Sequence, residues 1–82
     1  MSVEAARRER YQRAARVLAE VTGVEAADVI EHDPRLNRPS IEILVGPEYV
    51  RVPPRVLRAI AECDLGLWDS SPKAEYHVLV IT

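Results

Sequence analysis

The sequence is poor in the residues on which recognised catalytic, cofactor and disulfide motifs depend. Its 82 residues include one cysteine, two histidines and three glycines, and no apolar stretch is long enough to span a bilayer. The lone Cys63 excludes an internal disulfide and is typical of a reducing cytoplasm. The glycines stand apart from one another, so no glycine-rich loop is present to hold a phosphate. Because the charged amino-terminal region also lacks a signal-peptide pattern, we expect a cytoplasmic protein without membrane contact.

The histidines and the cysteine also lack partners at the spacing that catalysis or metal binding requires. His32 precedes Asp33, as in half of an oriented base, but no serine or cysteine stands in a nucleophile turn. His77 alternates with apolar neighbours in a predicted strand, and neither histidine has a metal-ligand spacing such as H-x-x-x-H. Cys63 ends a predicted helix, where the helix dipole raises the pKa of a thiol. We therefore predict no catalytic residue, metal ligand, cofactor or small-molecule substrate; an enzyme, the third alternative, would need a histidine beside a carboxylate in a pocket.

The final seven residues, 76–82, carry the clearest structural signal. They are uncharged, rich in β-branched and aromatic types, and free of proline and glycine. Such a run is typical of a strand, and at an uncovered edge it would invite association. We therefore expect it inside a sheet or against a partner chain. The chain is expected to form a single domain, 1–82, whose size makes a monomeric core marginal.

Two helices are predicted. Helix 1 is expected from about Val3 to Thr22, and its apolar side chains recur at spacings of three and four residues. Helix 2 is expected from Pro53 or Pro54 to about Cys63, because proline is tolerated in a first helical turn. The residues expected to face the core are Tyr11, Ala14, Ala15, Leu18 and Val21 on helix 1, and Val56, Leu57, Ile60 and Ala61 on helix 2.

Five strands are predicted from alternating or β-branched runs. They are expected at 27–32, 40–45, 49–52, 64–70 and 76–82, with loops at 33–39, 46–48 and 71–74. Loops between neighbouring strands this short favour antiparallel pairing, because parallel neighbours need crossovers of a dozen or more residues. The order α-β-β-β-α-β-β predicts an α+β fold, a two-layer sandwich with a mainly antiparallel sheet and both helices on one face.

Charge is distributed in blocks, although the net charge is only −2. Residues 1–16 and 34–58 are basic, whereas residues 17–33 and 59–82 are acidic. Ten of the eleven basic residues are arginine, which favours bidentate contacts with carboxylates or phosphates; codon bias in a GC-rich genome is the alternative explanation. If helix 1 and the 33–39 loop lie on the same side, a phosphate backbone can meet Arg7, Arg8, Arg10, Arg13, Arg35 and Arg38. The alternative is a solvated surface on which arginines pair with local acids.

The predicted order α-β-β-β-α resembles that of double-stranded-RNA-binding domains, which use helix 1, a strand-connecting loop and the start of helix 2. The resemblance implies that helix 1 and the 33–39 loop contact nucleic acid. The sequence departs from that family at the start of helix 2, where Pro53-Pro54-Arg55-Val56-Leu57-Arg58 stands in place of a lysine-rich motif. The additional C-terminal hairpin is also foreign to those domains.

The aromatic residues predict a second surface. Trp68, Tyr76 and Tyr49 lie on predicted strands, and two helices cannot cover both faces of a five-stranded sheet. A face that carries Trp68 with Leu44 or Leu79 exposes residue types that are enriched at interface centres. Burial of the aromatic residues in the core is the alternative.

From these two surfaces we predict a small, non-catalytic binding or regulatory module that acts through protein–protein interaction. It is expected to self-associate through its sheet as a homodimer, with the three aromatic residues at the interface. The residues expected to contact an acidic protein partner are Arg7, Arg10, Arg35 and Arg38. Nucleic-acid binding through the arginines of helix 1 and the 33–39 loop is the alternative function.

Overall fold

The chain forms two helices and a four-stranded antiparallel sheet in the residues that the structure describes. The structure is a computed structural model, and it describes residues 3–46, 51–73 and 77–82. The helices are α1 (Val3–Ala19) and α2 (Pro54–Glu62). The strands are β1 (Val24–Asp33), β2 (Arg38–Val45), β3 (Leu67–Pro72) and β4 (His77–Ile81). The order along the described chain is therefore α-β-β-α-β-β, an α+β fold in which helices pack on the sheet.

β4 lies at the centre of the sheet. The strand order is β1-β2-β4-β3, and each neighbouring pair is antiparallel. Leu79 of β4 lies opposite Ile43 of β2 on one side and opposite Ser70 of β3 on the other. Just after β4, the backbone of Thr82 exchanges two 3.0 Å hydrogen bonds with Gly66. In its described residues, 77–82, the uncharged run is thus covered along both edges, and the prediction of a strand inside a sheet is confirmed there.

One apolar cluster joins both helices to the inner face of the sheet, the face that bears Ile41, Ile43 and Val45 of β2. Leu79 and Ile81 of β4 are buried in the same cluster. The helix residues buried there are Tyr11, Ala14, Ala15 and Leu18 of α1, and Val56, Ala59 and Ile60 of α2. α1 ends three residues earlier than predicted, but its predicted apolar stripe is confirmed, and Val21 packs against the cluster from the turn that follows.

The buried stripe of α2 differs from the predicted one at two positions. Leu57 is 42% exposed and Ala61 is also exposed, whereas Ala59 is buried. Steps of three and four residues place Ala59 on the same line of the helix as Val56 and Ile60. Because α2 has apolar residues on both sides of that line, its sequence pattern is compatible with either of two adjacent buried faces. In the folded chain the buried face is the one that contains Ala59, so the predicted inward orientation of Leu57 and Ala61 is wrong.

The predicted third strand, 49–52, does not extend the sheet where it is described. Residues 49–50 lie outside the described residues, Arg51 forms a bend, and Val52 follows in irregular backbone. Pro53 comes next in an extended conformation and immediately precedes α2. Proline has no backbone N–H to donate to a neighbouring strand. A strand that ends at Pro53-Pro54 therefore has few residues that can form ladder hydrogen bonds. The described sheet therefore has four strands instead of the predicted five.

The hairpin between β1 and β2 is longer than predicted. Asp33 and Arg38 pair at the ends of the strands, around the four-residue turn 34–37. Asn37 has a φ of 55°, which asparagine tolerates, and its amide donates to the carbonyl of Asp33 at 2.8 Å. Pro39, predicted to lie in the loop, belongs to β2 beside a register shift between Ile30 and Asp33. Proline is tolerated beside such an irregularity because a regular ladder is already interrupted there.

The segment after α2 also departs from the predicted strand 64–70. Asp64 has a φ of 59°, and its amide donates to the carbonyl of Ala61 at 3.0 Å. The amide of Leu65 donates to the carbonyl of Ile60 at 3.3 Å, which completes a Schellman motif. These residues end the helix instead of beginning a strand. β3 therefore starts at Leu67 and continues to Pro72, through part of the predicted 71–74 turn.

Candidate functional site

A buried carboxylate organises the turn between β1 and β2. Asp33 is 1% exposed, and both of its carboxylate oxygens accept hydrogen bonds. Oδ1 accepts from the backbone amide and the Nε of Arg35, each at 3.0 Å. Oδ2 accepts from Arg35 Nη2 at 2.8 Å and from Ser40 Oγ at 2.9 Å. The side-chain contact between Arg35 and Asp33 is thus bidentate, a strong form of charge-assisted bonding. We call Asp33, Arg35 and Ser40 the Asp33 cluster.

The Asp33 cluster keeps two opposite charges ionised. The side-chain hydrogen bond from Arg35 holds the pKa of Asp33 far below its usual value, and it outweighs the opposing effect of burial. The hydrogen bonds from Ser40 and from the Arg35 amide lower the pKa of Asp33 further. Asp33 in turn raises the pKa of Arg35, with smaller contributions from Asp69 and Glu42. Both groups therefore remain charged throughout the neutral range.

Replacing Ser40 by alanine is expected to lower the free energy of unfolding by about 2 kcal/mol, because a buried hydrogen bond to a charged group is lost. Ser40 is fully buried, and Asp33 keeps its bonds from Arg35 in the variant. Urea unfolding at neutral pH measures the change. The matched control is Ser71→Ala, because Ser71 donates to Asp69 in an exposed 3.2 Å bond, whose loss should cost at most about 0.5 kcal/mol. Equal losses in the two variants would contradict the importance of burial at Ser40.

Arg35 also contacts an exposed aromatic ring. Its guanidinium carbon lies 5.4 Å from the centroid of Trp68, within the range of a cation–π interaction. Trp68 is 46% exposed and lies at a β-bulge, where the pairing of β3 with β4 shifts register between Leu67 and Asp69. A bulge of this kind re-aims side chains relative to the regular alternation of a strand. Trp68 is therefore a surface residue of the chain and lies outside the apolar cluster.

The outer face of the sheet, which points away from the apolar cluster, combines apolar and acidic side chains. It is identified by the strand residues that alternate with the buried ones. Two rows of this face cross the four strands: Asp28, Glu42, Val80 and Asp69 form one, and Ala26, Leu44, Val78 and Ser71 form the other. Val80 is only 2% exposed, whereas Leu44 and Val78 are half-buried. Of the two leucines considered with Trp68, Leu44 lies on this face and Leu79 lies in the core.

A cleft of about 350 Å³ lies between the first turns of α1 and the turn end of the β1–β2 hairpin. We call it the arginine cleft, after Arg7, Arg8 and Arg38, which line it. Arg8 Nε lies 3.4 Å from Oε1 of Glu31, the acidic residue of the lining. Neither the Arg7 nor the Arg38 side chain forms a hydrogen bond or ion pair with any described residue. The other lining residues are Val29, His32, Asn37 and Pro39.

The six arginines that were predicted to meet a phosphate backbone are divided among separate places. Three of them line the arginine cleft, namely Arg7, Arg8 and Arg38. Arg10 Nη2 donates to the carbonyl of Asp64 at 3.0 Å, and Arg13 Nη2 donates to Glu9 Oε1 at 3.4 Å. Arg35 belongs to the Asp33 cluster. Of the four arginines predicted for an acidic partner, the structure therefore brings together Arg7 and Arg38 but separates Arg10 and Arg35 from them.

Two of the three predicted interface residues, Tyr49 and Tyr76, lie outside the described residues. The Asp33 cluster was missed at the level of sequence, although part of its signal was present. Aspartate commonly accepts a hydrogen bond from the amide two residues later, and Arg35 holds that position. The bond from Ser40 spans seven residues and the cation–π contact with Trp68 joins two hairpins, so neither has a local signal.

The remaining chemically distinctive residues form no further site within the described residues. Burial raises the pKa of the Cys63 thiol, and Glu62 raises it further against the opposing effect of Arg10. No three metal-ligating side chains lie together in residues 3–46, 51–73 and 77–82. Neither helix of this part of the chain is long and apolar enough to cross a membrane. Comparisons with protein-family models, with curated proteins and with solved structures found no match to this chain.

Proposed function

We propose that this protein is a small, non-catalytic binding module of the cytoplasm that self-associates through the outer face of its sheet. In the two-layer arrangement that we propose, both helices cover the inner face, and the outer face stays open to a partner. The observation that carries the proposal is Trp68, which is 46% exposed and lies beside Arg35. Tryptophan and arginine are among the residue types most enriched at the energetic centres of interfaces.

The composition of the outer face supports this proposal. Leu44 and Val78 are half-buried neighbours near its middle, so they offer apolar surface that a partner can cover. The adjacent row carries three acidic side chains, those of Asp28, Glu42 and Asp69. Apolar centres bounded by charged residues are the usual anatomy of protein interfaces.

A second copy of the chain fits the outer face by charge. Arg35 uses Nε and Nη2 to bind Asp33, and its Nη1 forms no hydrogen bond with any described residue. In a dimer with twofold symmetry the same face meets itself. Arg35 of each copy can then lie against Glu42 or Asp69 of the other copy, which gives complementary charges across the interface. The outer face therefore carries both signs of charge that a symmetric contact requires.

The two edges of the sheet are less suitable for association. β3, at one edge, has six residues, contains a bulge and ends at Pro72. β1, at the other edge, has two register irregularities and exposes the acidic residues Glu25, Asp28 and Glu31. Bulges, prolines and charges are common devices that block pairing between sheet edges. Association face to face is therefore favoured over edge-to-edge pairing.

The outer face is small, which sets the expected affinity. Four strands about 4.8 Å apart, with seven paired residues in β1 and β2 and five in β3 and β4, present a face of roughly 19 by 20 Å. That area is well below the roughly 800 Å² per partner of a standard stable interface. We therefore expect a dimer that forms at micromolar concentrations instead of nanomolar ones.

Size-exclusion chromatography with light scattering tests the proposal. The mean mass should rise from the monomer value of 9.2 kDa toward twice that value as the concentration increases. The increase should be evident by about 0.5 mM and should reverse on dilution to about 1 μM, as a micromolar dissociation constant requires. A mass that stays at 9.2 kDa throughout this range would contradict self-association.

Nucleic-acid binding is the alternative function, and the three arginines of the arginine cleft support it. Against it, Arg10, Arg13 and Arg35 are each paired with an acidic residue, so fewer cations are available for a continuous track of phosphates. An electrophoretic mobility shift with single- and double-stranded DNA and RNA at low salt separates the two functions. The absence of any shift would remove the alternative without affecting the proposed dimer.

A further inference from the structure

We propose that the arginine cleft binds the phosphate group of a small organic ligand, of the phosphomonoester class. The cleft lies between α1 and the end of the β1–β2 hairpin, and its lining does not include Trp68 or any residue of β3 or β4. The inference therefore concerns a second site, separate from the surface that we propose for self-association. It assigns a small ligand to a chain whose sequence has no motif for one.

The charges of the cleft match a phosphomonoester. Three guanidinium groups line it, and the carboxylate of Glu31 neutralises that of Arg8 at 3.4 Å. The side chains of Arg7 and Arg38 have no partner among the described residues, and they leave two positive charges uncompensated. A phosphomonoester carries a charge of about −1.5 to −2 at neutral pH and presents three acceptor oxygens. Its charge is therefore close to equal and opposite to that of the two free arginines.

The shape of the cleft and its neutral residues fit the organic part of such a ligand. A volume of about 350 Å³ is at the small end of the range for ligand sites. Val29 and Pro39 provide apolar wall, and His32 and Asn37 provide groups that can donate or accept hydrogen bonds. Arg8 lies 3.4 Å from Glu31 in an exposed ion pair, so Arg7 and Arg38 are the groups that meet the phosphate. One end of the ligand can thus meet the arginines while the remainder contacts the neutral wall.

A single phosphate group fits the cleft better than an extended nucleic-acid strand. A strand needs successive cations along its path, and each phosphate that is contacted adds to the salt dependence of binding. The next arginines along α1 are already occupied, because Arg10 binds Asp64 and Arg13 binds Glu9. Arg35, at the other side of the turn, is held by Asp33. Of the six arginines predicted to meet a phosphate backbone, the two whose side chains have no partner among the described residues, Arg7 and Arg38, both line the cleft.

Isothermal titration calorimetry of the full chain with adenosine monophosphate tests the inference. We expect a dissociation constant of about 1 mM or lower, with no binding of adenosine, which lacks the phosphate. The double variant Arg7→Gln/Arg38→Gln should weaken binding at least about tenfold, because two charge-assisted contacts are lost. The matched control is Arg16→Gln/Arg58→Gln, which makes the same change in net charge on exposed helix positions outside the cleft and should bind as the wild type does.

Two further titrations identify the source of the phosphate. Inorganic phosphate should bind more weakly than adenosine monophosphate if the neutral wall contributes, and equal affinities would overturn the assignment to an organic ligand. The contrary result is a single-stranded oligonucleotide that binds at least about a hundredfold more tightly than adenosine monophosphate, with a salt dependence that corresponds to several contacted phosphates. That result would overturn the assignment to a small ligand in favour of nucleic acid. Equal losses in the two double variants, or no binding of either phosphate compound by the folded wild type, would overturn the site itself. Circular dichroism establishes that each variant is folded.

Discussion

Replacing Trp68 by alanine is expected to weaken self-association at least about thirtyfold, which corresponds to about 2 kcal/mol at an interface centre. Trp68 provides a rigid aromatic surface at the β3 bulge, and the guanidinium of Arg35 lies beside its ring. Both the exposed surface and the cation–π contact are lost in the variant. Because 46% of the residue is already exposed, the stability of the folded monomer should change much less than the affinity between copies.

Sedimentation equilibrium of the two proteins over the same concentration range measures this effect. Leu57→Ala is the matched control, because Leu57 has a similar exposed fraction, 42%, but lies on α2 instead of the outer face. The control should dimerise like the wild type. If Trp68→Ala leaves the dimer intact and only lowers the melting temperature, then Trp68 supports the fold of the monomer and the proposed interface is wrong.

Replacing Asp33 by asparagine is expected to lower the melting temperature by roughly 10 °C, a large change for a domain of this size. The side chain keeps its volume but loses its charge, and its new amide group faces donors on Arg35 and Ser40. Although the Arg35 side chain is 46% exposed, its two bonds and the bond from Ser40 lose the charged acceptor at the buried position, which is destabilising. Thermal unfolding followed by circular dichroism measures the loss. Asp28→Asn, an exposed change of the same kind on the same strand, should leave the melting temperature nearly unchanged.

The stabilisation by Asp33 should also depend on pH in a defined direction. The pKa of Asp33 is lowered in the folded chain, whereas the ordinary carboxyl value is 3.8. As the pH falls, the unfolded chain therefore takes up the proton first, which favours unfolding. The contribution of Asp33 is complete above about pH 5 and declines as the pH falls below the ordinary value toward the folded one.

Urea unfolding of the wild type and Asp33→Asn over this pH range provides the measurement. The difference between their free energies of unfolding should be constant near neutrality and should narrow in acid. The comparison cancels the titration of the other carboxylates, which both proteins share. A difference that stays constant down to pH values well below 3.8 would contradict the lowered pKa of Asp33.

The elements that the sequence predicted well are those whose signal is local and strong. The uncharged run at 76–82 predicted the central strand β4, and the spacing of Tyr11, Ala14 and Leu18 predicted the buried face of α1. The strand predicted at 49–52 failed in its described part, because β-branched residues alone do not supply a neighbour to pair with. The prediction of the buried face of α2 was wrong at Leu57 and Ala61, because the apolar residues of this helix occupy two adjacent faces.

The candidate sites were less predictable, because they depend on contacts between distant segments. Six arginines at the amino end of the sequence and in one loop suggested a single basic surface. Their contacts divide them instead. Arg10 donates to Asp64, which follows α2, and Arg35 donates to Asp33 two residues before it. The exposure of Trp68 was equally inaccessible, because it depends on a bulge in β3 that shifts the register beside it.

The central position of β4 also governs how the chain can fold while a ribosome makes it. β1 and β2 are close in sequence and can form a hairpin early, but β4 follows every other strand in chain order. Until residues 77–81 have emerged, the second edge of β2, which carries Ile41 and Ile43, has no partner. Nascent chains with an open apolar strand edge are prone to aggregate and to bind chaperones. Completion of this sheet therefore waits for β4, an inner strand that comes last of the four in chain order.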